Sequence, residues 1–257
     1  MNLITSRDNP LLKAIRRLAQ DTTGYRKQGQ FWLEGDHLCR AAVERGVQPL
    51  HTVLTESFWQ EQGTYWATLS DQVIVIPDAL FTTLSGLESP ARMGFVVAWT
   101  EGGTILSDAP TVVLDRLQDA GNVGAILRCA SAFGYRQVMA IKGTAALWSP
   151  KVLRAGMGAH FGLHLMESVG EDDVAKLTVP VMTTSSHQGP YLHDLLKQAT
   201  LPRQCAWIFG HEGQGVSDKL MMLASQKVRI AQPGGEESLN VATAAAICLH
   251  ASATALG

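Results

Sequence analysis

The sequence predicts an α/β protein built as two units, a small mixed one first and a parallel-sheet one behind it. Three observations predict this. Short strand-like runs alternate with helical stretches along the whole chain. From Thr111 onward the strand runs turn continuously apolar, beginning with Thr111-Val112-Val113-Leu114-Asp115, which is how strands buried on both faces read. Over 257 residues, 46% hydrophobic content against 17% charged gives each unit material for its own core.

The first unit spans residues 1–98. Asn9-Pro10 opens a helix in which Leu11, Leu12, Ile15 and Leu18 share one face and basic residues the other. Phe31-Trp32-Leu33 reads as a strand ended by Glu34-Gly35, and a helix starts near Asp36. Val53-Leu54 and Val73-Ile74-Val75-Ile76 are further strands, each before a helix, and Phe95 to Trp99 closes the set. Residues 99–110, with Gly102, Gly103, Ser107 and Pro110, form a linker. The second unit, 111–257, adds strands at 138–141, 179–184, 205–209 and 228–230. Its helices are Val123 to Phe133 and Leu239 to Leu256.

Composition narrows the function classes. Asn240, Thr243 and His250 interrupt the most apolar stretch, so no membrane span is expected, and Arg7, Asp8 and Lys13 break any N-terminal signal pattern. Cys39, Cys129, Cys205 and Cys248 are scattered, without C-x-x-C or a metal-like grouping with histidine. Reduced thiols in the cytoplasm and no bound metal are the expectation. His160 with His164 reads as packing, and Ser185-Ser186-His187-Gln188-Gly189 is not a nucleophile elbow. The net charge of −2 argues against a polyanion partner, but its distribution does not. Arg7, Lys13, Arg16, Arg17, Arg26 and Lys27 against Asp8 and Asp21 leave residues 1–27 with four net positive charges.

Three blocks carry candidate chemistry, each where a strand gives way to a loop, the usual ligand edge of an α/β sheet. In the first, Asp115 ends a strand and a polar loop leads to Asn122, a candidate helix cap, then Gly124 and Arg128. Taken alone, Arg128 also reads as a surface arginine lying along an apolar helix face. The second, Gly210-His211-Glu212-Gly213-Gln214-Gly215, lets backbone N–H groups approach a ligand, and its spacing is not the dinucleotide fingerprint. The third runs from Arg229-Ile230-Ala231-Gln232 through Pro233-Gly234-Gly235 to Ser238-Leu239-Asn240. Ser238 is its candidate helix cap, and Asn240 needs a partner if buried.

Together these blocks resemble the three motifs of the SpoU/TrmH family of RNA ribose methyltransferases, within the knotted SPOUT superfamily. Asn122, Gly124 and Arg128 match the first motif; Gly210, Glu212, Gly213 and Gly215 the second; Gly234 to Asn240 the third. Ser149-Pro150-Lys151, Arg154 and Gly158-Ala159 match an intermediate stretch, all in order over about 145 residues. Phe31 to Leu38 resembles the ribosomal-protein L30e-like substrate-binding domain of many members. Four positions depart from the pattern. Ala231-Gln232 stand where Pro-Met is usual, Ala120 where proline is common, and His211 where a small residue is usual.

The resemblance implies a C-terminal parallel sheet with a deep trefoil knot, which periodicity does not foretell. It implies a homodimer whose subunits share the site, with S-adenosylmethionine held around Thr184, Gly210, Gly213, Gly215, Ile230, Gln232 and Leu239. It also implies catalytic roles for Asn122, Arg128, Glu212, Ser238 and Asn240, with Arg128 reaching in from the partner subunit. An arginine stays protonated, so phosphate anchoring and polarisation suit Arg128 better than proton abstraction. The expected reaction is methylation of a ribose 2′-hydroxyl, in ribosomal RNA before transfer RNA because transfer-RNA members often lack the first domain. The rivals are a non-catalytic RNA-binding or ribosome-assembly factor on the same fold, and a base methyltransferase.

Overall fold

The computed structural model describes residues 1–70, 72–86, 89–235 and 238–255. Glu236 and Glu237 of the third block, and Leu256 of the last helix, lie outside the described residues. The chain divides into two compact units. One comprises Met1–Thr100 with Trp148–Phe161, the other Glu101–Leu147 with Gly162–Gly257.

In the first unit, β1 (Asn2–Leu3), α1 (Pro10–Gln20) and α2 (Gly24–Gln28) precede β2 (Gln30–Glu34) and α3 (Asp36–Glu44). Then follow β3 (His51–Thr55), α4 (Glu56–Ala67), β4 (Val73–Ile76), α5 (Asp78–Thr82) and β5 (Met93–Ala98). The sheet order is β1-β4-β3-β5-β2, with β1, β4 and β3 parallel and β5 antiparallel to both its neighbours. The four strands read from the sequence are present; the two-residue β1 is too short for a periodic signal. Asn9 caps α1 by accepting the Leu11 N–H at 2.9 Å, and Pro10 takes the first turn, where a missing N–H costs nothing. Leu12, Ile15 and Leu18 are buried as their spacing requires.

The second unit holds β6 (Thr111–Asp115), α6 (Ala120–Ala132) and β7 (Gln137–Ile141). The chain then makes an excursion: α7 (Pro150–Gly156) lies within the first unit, where Trp148 packs on Phe31 with ring centroids 4.7 Å apart. Back in the second unit come β8 (His164–Val169), β9 (Val181–Thr184), α8 (Leu192–Lys197), β10 (Ala206–Gly210), α9 (Asp218–Leu223), β11 (Gln226–Val228) and α10 (Val241–Thr254). The sheet order is β11-β9-β10-β6-β7-β8, with every neighbouring pair parallel. Strand β8 is absent from the sequence reading, because His164, Glu167 and Ser168 break its apolar run at a sheet edge. The strand expected at 228–230 ends at Val228, and Arg229 makes only an isolated bridge to Tyr191.

Alternation places the two faces of β10. Ala206 and Ile208 join Val113, Met139, Val181 and Leu220 in one core. Trp207 points the other way, and its buried Nε1–H donates to Ser252 Oγ of α10 at 2.9 Å. The Cys205 thiol donates to the same oxygen at 3.6 Å. This small network holds the almost wholly apolar α10 at one rotation against the sheet, which apolar contact alone does not specify. No helix of the described residues is long and apolar enough to cross a membrane.

Candidate active site

Parallel strands deliver their carboxyl ends to one edge, and register brings three of the singled-out loops together there. Gly210 stands opposite Asp115, and Val228 opposite Thr184. Asp115 is fully buried. Its carboxylate accepts the Arg116 guanidinium at 2.7 and 3.1 Å and the Ser217 N–H at 2.7 Å, so the first loop is tied to the second. Arg116 takes a left-handed backbone at φ 57° to make that turn.

Gly210 is dictated by close approach. A Cβ there would meet the backbone of Gly215 and Val216 at 2.2 Å, so the loop folds onto itself only without a side chain. Glu212 then reaches the first loop, where its carboxylate accepts the N–H groups of Gln118 and Asp119, each at 3.1 Å. It also accepts the Asn122 Nδ2–H at 3.2 Å. Burial alone raises the Glu212 carboxyl. The backbone N–H groups of Glu212, Gln118 and Asp119 and the Asn122 amide more than offset that, and hold it below its ordinary value.

The two helix starts differ from the sequence reading. Asp119, not Asn122, caps α6, its side chain accepting the Asn122 N–H at 2.7 Å. Asn122, freed from capping, faces Glu212. Asn240, not Ser238, caps α10, with Oδ1 accepting the N–H of Ala242 at 2.9 Å and of Thr243 at 3.2 Å. Its Nδ2–H donates to Asn122 Oδ1 at 3.0 Å. The physical reason is shared: either residue type can cap, and tertiary contacts choose which one does.

A cavity of about 360 Å³ opens at this edge. Thr184, Gly210, Gly215, Ile230, Gln232 and Leu239 line it, and so do Glu212, Ser238 and Asn240. Asn122 adjoins it through its two hydrogen bonds. Gly213 stands outside the lining, its N–H turned to His211. Arg128 is exposed on α6 and does not line the cavity. It is six residues past Asn122, about 120° around the helix, so it projects from a different face. Sequence reasoning missed Ser185, Ser186, His211, Val241 and Ala244 as lining residues. The signal for the first two was their place just after a strand's carboxyl end.

A buried carboxylate at a strand end, a glycine loop folded on itself and two amides linked to Glu212 define an α/β protein with a ligand site at its topological edge. Residues 109–250 match the SpoU rRNA methylase family, and residues 9–94 match the MRM3-like substrate-binding domain. The chain belongs to the SpoU family. An uncharacterized tRNA/rRNA methyltransferase of Synechocystis is 34% identical over 265 residues, 96% of this chain and 92% of that protein. The 23S rRNA (guanosine(2553)-2′-O)-methyltransferase of Bacillus subtilis is 26% identical over 229 residues, 87% and 88% of the two chains. Human mitochondrial rRNA methyltransferase 3 is 42% identical over 177 residues; the match takes in 66% of this chain but only 42% of that longer protein. Two solved structures share the fold. One, an RNA 2′-O ribose methyltransferase, has TM-score 0.77 and 28% identity over 97% of each chain. The other, an AdoMet-bound rRNA methyltransferase from Sinorhizobium meliloti, has TM-score 0.81 and 25% identity over 98% and 97%.

Proposed function

We propose that this chain methylates a ribose 2′-hydroxyl of ribosomal RNA with S-adenosylmethionine, as a homodimer whose subunits share the site. The observation that carries the reading is the cavity at the strand ends, bounded by the Glu212–Asn122–Asn240 chain. The cavity fits the cofactor on two counts. Gly210 and Gly215 wall it with backbone rather than side chain, and Gln232 Oε1 is a buried acceptor in the wall without a partner among the described residues. Thr184, Ile230, Gln232 and Leu239 would hold the cofactor, and Gly210 and Gly215 would let it approach the backbone. When bound, the sulfonium supplies an already activated methyl carbon.

The protein's task is then alignment of a weak nucleophile for in-line displacement. Glu212, Asn122 and Asn240 form a fixed polar rail, and Ser238 adds a hydroxyl at the cavity rim to orient the ribose. Arg128, pointing away from its own cavity, serves the partner's site by anchoring phosphate and polarising the hydroxyl. The homodimer is supported by α10, which is almost wholly apolar yet leaves Ile247 38% exposed and Leu239, just ahead of it, 36% exposed. Four unbridged cysteines support a reducing compartment, and we place the protein in the cytoplasm.

The first unit supplies RNA affinity. Arg7, Lys13, Arg17, Arg26 and Lys27 are exposed around α1 and α2. Arg17, Gln20, Asp21, Gly24, Lys27 and Gln28 line a groove of about 470 Å³. Both nearby acids are engaged, Asp8 with Lys13 at 2.9 Å and Asp21 with the Thr23 N–H at 2.9 Å, so the surface stays basic.

Calorimetric titration with S-adenosylmethionine tests the reading first. Micromolar binding, followed by loss of one 2′-O-methyl group from ribosomal RNA in a deletion strain, is the expected result. No binding with or without RNA present would leave a non-catalytic RNA-binding factor.

A further inference from the structure

The first residue of the loop that walls the cavity is a histidine turned back on its own chain. His211 Nδ1 accepts the backbone N–H of Gly213 at 3.0 Å and of Gln214 at 3.2 Å. Its backbone pairs both ways with Gly215, its N–H donating at 3.0 Å and its carbonyl accepting at 2.8 Å. One ring nitrogen thus satisfies two N–H groups of an exposed glycine-rich turn. Backbone N–H groups can only donate, so both bonds need Nδ1 as an acceptor with its lone pair free.

We infer that His211 is a positioning residue for S-adenosylmethionine: its Nδ1, as a double acceptor, braces the 211–215 turn in the form that walls the cavity. The inference rests on reading that cavity as the S-adenosylmethionine site. Cofactor affinity therefore falls when that acceptor is removed.

The other groups at the cavity do not supply the same brace. Glu212 is the other titratable side chain lining the cavity among the described residues, and its carboxylate faces Gln118, Asp119 and Asn122. On the first loop, Asp119 caps α6, and Asp115 and Arg116 pair with each other. The lining side chains from the ends of β9 and β11 and the start of α10 are hydroxyl, amide and aliphatic.

Substitutions separate the brace from mere bulk. The Oδ1 of His211→Asn reaches the place of Nδ1 and keeps the acceptor. His211→Gln reaches the place of Nε2 and loses the acceptor; His211→Ala loses both. The full-length wild type and the three variants are titrated calorimetrically with S-adenosylmethionine. The alanine and glutamine variants should bind about tenfold more weakly, the effect of two modest hydrogen bonds. The asparagine variant should keep wild-type affinity. Long-range proton–nitrogen spectra of the free wild type should show Nδ1 unprotonated.

A proton on Nδ1 in the free protein, or equal affinities for wild type and His211→Ala, overturns the brace and leaves the cavity assignment standing. A wild type that binds no S-adenosylmethionine overturns the cavity assignment, and the inference with it.

Discussion

Asn240 donates to Asn122 across 118 positions of sequence, and the two amides are oriented by what lies at either end of their chain. At one end Glu212, ionised, can only accept, so Asn122 turns its Nδ2–H toward it and leaves Oδ1 for Asn240. At the other end the N–H groups of Ala242 and Thr243 can only donate, so Asn240 turns Oδ1 to them and keeps Nδ2–H for Asn122. Both ends demand the same polarity. The cap of α10 and the polar rail are one structure.

That coupling is separable by substitution. Asn240→Ala removes the cap and the link, and should cost about 1 kcal/mol of stability along with methyl transfer. Asn240→Asp keeps a capping oxygen and loses the donor to Asn122. It should unfold within a few tenths of a kcal/mol of wild type yet transfer methyl groups at least about tenfold more slowly. Denaturant melts and single-turnover assays check both. Normal transfer by the aspartate variant would mean the Asn122 link is not used.

Glu212 makes stability depend on pH in a defined direction. Its folded value lies below the ordinary 4.5, so its contribution is present above that value and fades as pH falls through the lower folded one. Glu212→Gln should therefore be less stable than wild type near neutral pH, and the two curves should converge as pH falls through the lowered folded value. The effect is modest, because the side chain is largely exposed. Denaturant unfolding across that range is the measurement.

Arg128 stands apart from the cavity of its own chain, which makes the shared site testable. Arg128→Ala should abolish transfer while leaving S-adenosylmethionine affinity within about twofold. Mixed dimers of Arg128→Ala and Asn240→Ala subunits should recover part of the activity, since each hybrid retains one intact composite site. An absence of recovery would return Arg128 to the role of a surface arginine.

The basic groove is best tested by charge reversal. Deleting residues 1–98 would strip Phe31 from Trp148 and leave the 148–161 excursion without its unit. Arg17→Glu with Lys27→Glu should weaken RNA binding, and flatten the slope of log affinity against log salt by about 1.4 if each meets one phosphate of a single strand. Cofactor affinity should not change.

Much of this architecture was legible because it rests on local rules. The helix of Leu12, Ile15 and Leu18, the buried strand from Thr111 to Asp115 and the glycine loop after Phe209 are each specified by periodicity, apolar runs or turn chemistry within a dozen residues. Strand β8 was not legible, since an edge strand carries polar residues and loses the apolar signal. The chain excursion through α7 was not legible either, because nothing in Ser149-Pro150-Lys151 says which core its neighbour Trp148 enters.

The sequence by itself determined which residues were available at the strand ends: Asn122, Glu212, Ser238 and Asn240, with Arg128 on the helix beyond. Their order and spacing marked the family without any coordinates. Only the tertiary structure decided their partnerships. Asn122 leaves the cap of α6 to Asp119 and meets a carboxylate 90 positions away, and Asn240, while capping α10, meets Asn122 across 118 positions; a local pattern contains no term for either. Capping preferences among Asp, Asn and Ser differ by tenths of a kcal/mol, whereas a charge-assisted hydrogen bond contributes more than that. The long-range contact therefore wins, and it assigns the same residue types to different work.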